Sequence, residues 1–206
     1  MGNADSNAPH TFAAKGRAHH VCPWWLGYFL VSPLRRLAEP PERMLNAHVR
    51  PGMTVLDLGS GMGYFSLPAA RLAGPEGRVL CLDVQQRMLN ALERRARRAG
   101  LRDRIETRLV SNGDLGLEFS PATVDVALAL HVLHEIPDLG STFRQLLVAL
   151  RPGATILVVE PRGHVKGRDF LVTLGQAEQV GFAMERQPGP RRSLAALLRA
   201  PGKAPT

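Results

Sequence analysis

The chain has little lysine, little cysteine and no long apolar run in its 206 residues. Residues 24–31, the longest apolar candidate, fall below half of the roughly 18 residues that a membrane-spanning helix requires. The polar start, residues 1–20, has no apolar core of the secretory-signal type. Of two cysteines, Cys81 lies inside an apolar run and reads as a small buried hydrophobe, whereas Cys22 precedes Pro23 in different surroundings. A disulfide is not expected, and a soluble protein of the reducing cytoplasm is. The opening Met1-Gly2-Asn3-Ala4-Asp5-Ser6 fits the loose myristoylation pattern, which is too short to carry an anchor by itself.

Scarce lysine (Lys15, Lys166 and Lys203) means that the net charge of +8 is almost wholly arginine. A surplus of this size can suit an acidic partner such as nucleic acid or a membrane surface. Arginine in place of lysine, beside abundant Ala, Gly and Pro, reads equally well as biased coding. Arg94-Arg95-Ala96-Arg97-Arg98 also has an ordinary home on a solvated helix face, so nucleic acid is not the favoured partner.

What is present is ordinary for a globular domain: 45% hydrophobic and 21% charged residues. The length suits one domain, expected over residues 19–200, with disordered tails at 1–18 and 201–206. Strand-like and helix-like segments alternate. Residues 53–58, 78–84, 105–110, 124–130 and 154–160 read as strands, the fourth almost continuously apolar as a doubly covered strand must be. Between them run helical spacings at 64–73, 85–99 and around Phe143, Leu146, Leu147 and Leu150, then around Phe170, Leu174 and Ala177. The arginines of 85–99 fall largely opposite Met88, Leu92, Ala96 and Ala99. Residues 182–186 and 193–198, around Pro188-Gly189-Pro190, suit a closing hairpin. The pattern predicts an α/β, Rossmann-like, doubly wound and mostly parallel sheet, with ligands at the carboxyl ends of its strands.

The first strand runs into Asp57-Leu58-Gly59-Ser60-Gly61-Met62-Gly63-Tyr64. Glycines let the backbone turn sharply and approach a ligand, and the helix expected near Tyr64 offers free N–H groups. The spacing is G-x-G-x-G, whereas the dinucleotide fingerprint wants its third glycine where Tyr64 stands. Asp57 would repel a pyrophosphate and suits a cationic ligand. Asp83 ends the second strand, about 20 residues on, where an acid meets ribose hydroxyls. Each has a plainer reading: Asp57 as a turn cap, Asp83 as the N-cap of the following helix.

With these residues the chain resembles the class I S-adenosylmethionine-dependent methyltransferases, in particular the ubiquinone/menaquinone methyltransferase-like small-molecule branch. The resemblance covers roughly residues 40–185 and is most specific at V-L-D-L-G-S-G-M-G-Y. It implies a seven-stranded sheet with an antiparallel C-terminal hairpin and S-adenosylmethionine as cofactor. Asp57, Gly59 and Gly61 would border the methionine part, with Ser60, Gly63 and Tyr64 also at the cofactor, Asp83 at the ribose and Val84 on the adenine face. Asn112, in Ser111-Asn112-Gly113-Asp114, would line the adenine edge. That stretch departs from the commoner Gly-Asp-Ala type.

After the fourth strand, Leu130-His131-Val132-Leu133-His134-Glu135-Ile136-Pro137-Asp138 occupies the position that faces the methyl group in the family. It lacks both the [D/N/S]-P-P-[Y/F/W] signature of many amino-group methylases and the Pro-Cys nucleophile of cytosine C5 chemistry. In-line displacement from a sulfonium leaves a neutral product, so alignment supplies much of the acceleration. A base is required only where the acceptor must lose a proton, and histidine suits that near neutral pH. His134 is the first candidate and His131 the second, with Glu160 and His164 as pocket neighbours. In the plainer alternative His131 packs beside the adenosine and His134 caps the next helix. A metal set of His131 and His134 with Cys22, His19 or His20 has no spacing to support it, so no metal is expected.

Both tryptophans and Tyr28 fall in Cys22-Pro-Trp-Trp-Leu-Gly-Tyr-Phe-Leu-Val. Three readings stay open for Trp24, Tyr28 and Val31: a core-covering helix, a substrate lid, or an interfacial membrane contact. The family often closes its pocket with an N-terminal segment, so lid helices are expected over about 21–49. The aromatic content points to an apolar or aromatic small-molecule acceptor. An RNA or protein methyltransferase using the arginine surface, a non-catalytic S-adenosylmethionine-binding protein and an NAD-dependent oxidoreductase are the alternatives.

Overall fold

The computed structural model describes residues 40–111, 113–117, 121–187 and 193–202. Cys22, the tryptophan segment, His19, His20, Asn112 and Pro188-Gly189-Pro190, with most of the expected tails and lid, lie outside them. The described elements run α1 (Pro41–Leu45), β1 (Thr54–Leu58), α2 (Ser66–Ala73), β2 (Arg78–Asp83), α3 (Gln86–Arg98) and β3 (Ile105–Leu109). There follow β4 (Val124–Leu130), α4 (Leu139–Ala149), β5 (Leu150–Pro161), α5 (Gly167–Val180), β6 (Ala183–Gln187) and β7 (Ser193–Arg199).

The seven strands form one sheet in the order β3-β2-β1-β4-β5-β7-β6. Strands β1 to β5 are parallel, and β7 runs antiparallel to both its neighbours. Alternation along each parallel strand feeds two apolar layers. Leu56, Leu82, Ala129 and Ile156 face one side, where Phe143 and Leu146 of α4 and Phe170 and Leu174 of α5 cover them. Val55, Cys81, Leu128 and Val159 face the other, covered by Ala69 and Ala73 of α2 and Leu92 and Ala96 of α3. Burying each large side chain is worth about 1.5–3 kcal/mol, and the large side chains of both layers are almost wholly buried. Leu45 of α1 and Val49 belong to the second layer, so this end of the expected lid region is core packing.

Two local expectations are corrected. Residues 64 and 65 are not yet helical: α2 begins at Ser66, because three left-handed glycines delay it. The strand expected over 154–160 starts earlier, at Leu150, so Arg151-Pro152-Gly153 lies inside β5 as an irregularity, where the pairing shifts from Val124↔Leu150 to Val126↔Thr155. The N–H of Gly153 is taken by the carbonyl of Pro201, which ties the end of β7 to this bulge.

Strand order reverses between β1 and β4, so the loops that follow them lie side by side. Connections on opposite faces leave a crevice there, outside the carboxyl ends of the strands. A Cβ built on Gly59, after β1, would lie 2.4 Å from Cγ2 of Val132, after β4. The two loops of interest therefore touch.

Candidate active site

Gly59, Gly61 and Gly63 have φ of 68°, 52° and 79°, the left-handed region that side chains disfavour. The turn is pinned from three directions. Ser60 N–H donates to the Leu82 carbonyl at 3.0 Å, Gly63 N–H to the Ser60 carbonyl at 2.9 Å, and Gly61 N–H to Asp83 Oδ2 at 2.8 Å. Asp83 uses its other oxygen, Oδ1, on Gln85 N–H at 2.8 Å. The plainer reading of Asp83 is therefore half right: it holds the turn into α3, whose N-cap is Gln85, and it also fastens the glycine turn. Burial pushes its carboxyl up, and the backbone N–H groups of Gln85, Gly61 and Val84 oppose this.

Asp57 is 2% exposed and accepts a hydrogen bond from Ser66 Oγ at 2.5 Å. It thus ties β1 to the first residue of α2. Burial pushes its carboxyl up to about 7, with the Ser66 hydroxyl pulling down and Asp83 adding to the rise. Ser66 was invisible as a site residue in the sequence, where it is one small polar position in an apolar helix.

Two observations mark the turn as a place for a ligand. Ser60 Oγ is buried with no hydrogen-bond partner among the described residues, an uncommon state for a polar atom. At Gly61 a Cβ would meet nothing within 4 Å, so the backbone opens onto free space. Val84, next to Asp83, is 38% exposed and offers an apolar surface at the same edge. This set of a partnerless hydroxyl, two carboxylates and an apolar platform fits a nucleoside that carries positive charge and no phosphate.

Across the crevice, β4 ends at Leu130 and His131 takes φ 62°, one of two described non-glycine residues with positive φ. Its N–H reaches the Val159 carbonyl at 2.7 Å, and its ring stacks on Phe65 with centroids 6.2 Å apart. Phe65 in turn meets Tyr64 edge to face at 4.9 Å. Strained backbone of this kind is held by surrounding structure and concentrates at working sites.

His134 sits in a short 3-10 turn, Leu133–Glu135. It does not cap the next helix: Asp138 does, its Oδ1 accepting from Ser141 N–H at 2.8 Å. Instead His134 Nδ1 lies 2.6 Å from Oε2 of Glu160, which is 1% exposed at the end of β5, and its backbone N–H donates to Oε1 at 3.3 Å. A carboxylate only accepts, so Nδ1 carries the proton and Nε2 faces away from Glu160. The hydrogen bond that its ring donates to Glu160 raises the imidazole above its ordinary 6.5, with burial opposing. Glu135 Oε1 is 4.0 Å from Nε2, and the His164 ring stands edge-on at 5.8 Å. The structure thus brings His134, Glu160 and His164 together, and it stacks His131 on Phe65. Among the described residues no three His, Cys, Asp or Glu converge as metal ligands, and no helix is long and apolar enough to cross a membrane.

Comparison with known proteins decides the family, since a model of a methyltransferase domain matches residues 49–188, more than half of the chain. The chain belongs to this methyltransferase-domain family. It is 31% identical over 112 residues to a ubiquinone/menaquinone biosynthesis C-methyltransferase of Pasteurella multocida, a match covering 54% of this chain and 41% of that protein. The chain thus spans less than half the length of that curated relative. A SAM-dependent methyltransferase structure from Aquifex aeolicus superposes with TM-score 0.78 at 21% identity, over 87% of this chain and 99% of that one. A structure described as an S-adenosylmethionine-dependent methyltransferase from Methanococcus maripaludis gives 0.73 at 14%, over 93% and 100%. At these identities the two structures establish the shared fold.

Proposed function

We propose that this methyltransferase-domain protein transfers a methyl group from S-adenosylmethionine to a small-molecule acceptor bound across the β1–β4 crevice. The observation that carries the reading is the glycine turn fastened to Asp83, with the buried Ser60 hydroxyl, which has no partner among the described residues, beside open space at Gly61. Gly59, Gly61, Gly63 and Tyr64 would border the methionine moiety of the cofactor, Asp57 would supply negative charge behind it, Asp83 would take the ribose and Val84 one face of the adenine. Asn112 would line the adenine edge, and His131 would lie beside the adenosine. A bound cofactor brings a methyl group on a sulfonium, whose displacement leaves a neutral thioether.

The residues of this chain then have two tasks. The first is alignment, because holding acceptor and methyl donor in line contributes up to ~7–11 kcal/mol. The second falls to His134: Nε2 takes a proton from an acceptor that must lose one, while Glu160 fixes the ring and stabilises the imidazolium. The buried, free thiol of Cys81 is in keeping with action in the reducing cytoplasm.

A screen of protic small molecules with methyl-labelled cofactor tests the proposal, with product mass as the readout. Transfer to at least one acceptor is expected, and its loss in His134→Ala. A protein that binds the cofactor and methylates nothing in a broad panel contradicts it.

A further inference from the structure

One face of α3 is given over to the glycine turn. Met88 and Ala91 close a small apolar cluster with Met62. Leu92 lies directly beneath Gly63, where a Cβ would come 2.9 Å from its Cγ. Arg95 Nη1–H donates to the Met62 carbonyl. Positions 88, 91, 92 and 95 follow the i, i+3, i+4, i+7 spacing of a single helix stripe. Arg94, Arg97 and Arg98 are exposed, whereas Arg95 is half-buried, so this one arginine of the cluster leaves the solvated face.

We infer that Arg95 is a positioning residue that locks the glycine turn in its ligand-binding conformation. The turn packs against the apolar stripe of α3, and a carbonyl directed into protein there needs a donor. The Ser60 carbonyl is taken by Gly63 N–H, and the Met62 carbonyl by the guanidinium. With Asp83 on Gly61 N–H, both ends of the segment between Gly61 and Gly63 are fixed to side chains of the β2–α3 unit. Without Arg95 the turn samples other arrangements, and affinity falls by the fraction of molecules left competent. Arg95 does not itself touch the ligand.

The inference rests on the cofactor reading and is tested together with it. S-adenosylhomocysteine is titrated calorimetrically into wild type, R95M and R95K, and exchange of the Gly61 and Gly63 amides is followed by NMR without ligand. In R95M the dissociation constant is expected to rise about tenfold or more, as for loss of a charge-assisted bond, and both amides lose protection. R95K, which keeps a charged donor, recovers much of both. Failure of wild type to bind contradicts the cofactor reading. Wild-type binding with R95M unchanged in affinity and exchange overturns the role of Arg95, as does an R95K variant no better than R95M. If R95M does not fold, R95Q replaces it, and affinity equal to wild type again overturns the assignment.

Discussion

The Glu160 carboxylate holds His134 at two points, the ring Nδ1 at 2.6 Å and the backbone N–H at 3.3 Å. Ring orientation and tautomer are therefore fixed together, and Nε2 is left to work. His134→Ala is expected to lower turnover about 10²–10⁴-fold, the range of general base catalysis, while cofactor affinity stays within about twofold. Single-turnover kinetics beside calorimetry separate the two effects. Unchanged turnover would remove the base role.

The same pair dictates a pH dependence. A base must be unprotonated, so turnover should rise with pH through a value above 6.5, because Glu160 raises His134. Glu160→Gln takes away the main cause, and the rising limb should move to lower pH with a reduced plateau. For folding the sign is reversed. A raised histidine contributes stability in full below its unfolded value and loses it as pH climbs through the folded one. The stability deficit of Glu160→Gln should accordingly be largest below 6.5, shrink as pH rises from there through the folded value, and level off beyond it. Chemical denaturation across pH measures it.

The glycine turn and its two aspartates were legible in the sequence because spacing and residue type express them directly. Strand and helix order was legible because buried strands need nearly continuous apolar runs. Arg95 was not: charge alone grouped it with Arg94, Arg97 and Arg98, and only the 88-91-92-95 stripe separates it. Glu160 was legible as a pocket neighbour of the two histidines, but its pairing with His134 in particular, 26 residues away, was not. Which of the two histidines would meet the glutamate depends on the left-handed turn at His131, a backbone choice that no side-chain pattern announces.

Asp57 gives a second pH signature. With its carboxyl raised to about 7, the folded chain holds this proton more tightly than the unfolded chain does. Stability from this group is complete below its ordinary 3.8 and declines as pH rises from there, levelling off above about 7. Asp57→Asn, neutral throughout, should therefore gain in Tm relative to wild type between pH 5 and 8 by differential scanning calorimetry, on the order of a few degrees. A constant difference across that range would contradict the assignment. A cationic ligand favours the ionised form, so wild type should bind S-adenosylmethionine more tightly as pH passes through about 7.

Gly59 tests how closely the two loops fit. A Cβ there meets Val132 Cγ2 at 2.4 Å and must adopt φ of 68°. Gly59→Ala should cost about 1–3 kcal/mol for the overlap, and about 1–2 kcal/mol more for the backbone. Gly59→Ala with Val132→Ala should recover most of the overlap part and none of the backbone part, since the Cβ of residue 132 stays 3.0 Å from the added one. Urea unfolding of the four proteins separates the terms; full additivity would mean that the loops do not press on each other.

Calorimetric titration of S-adenosylhomocysteine into wild type and Asp83→Ala addresses the glycine-turn site most directly. The account expects one site of micromolar affinity in wild type, weakened at least about tenfold when the carboxylate that holds Gly61 is removed. Equal affinity in both proteins, or no heat of binding in wild type at millimolar ligand, would contradict it.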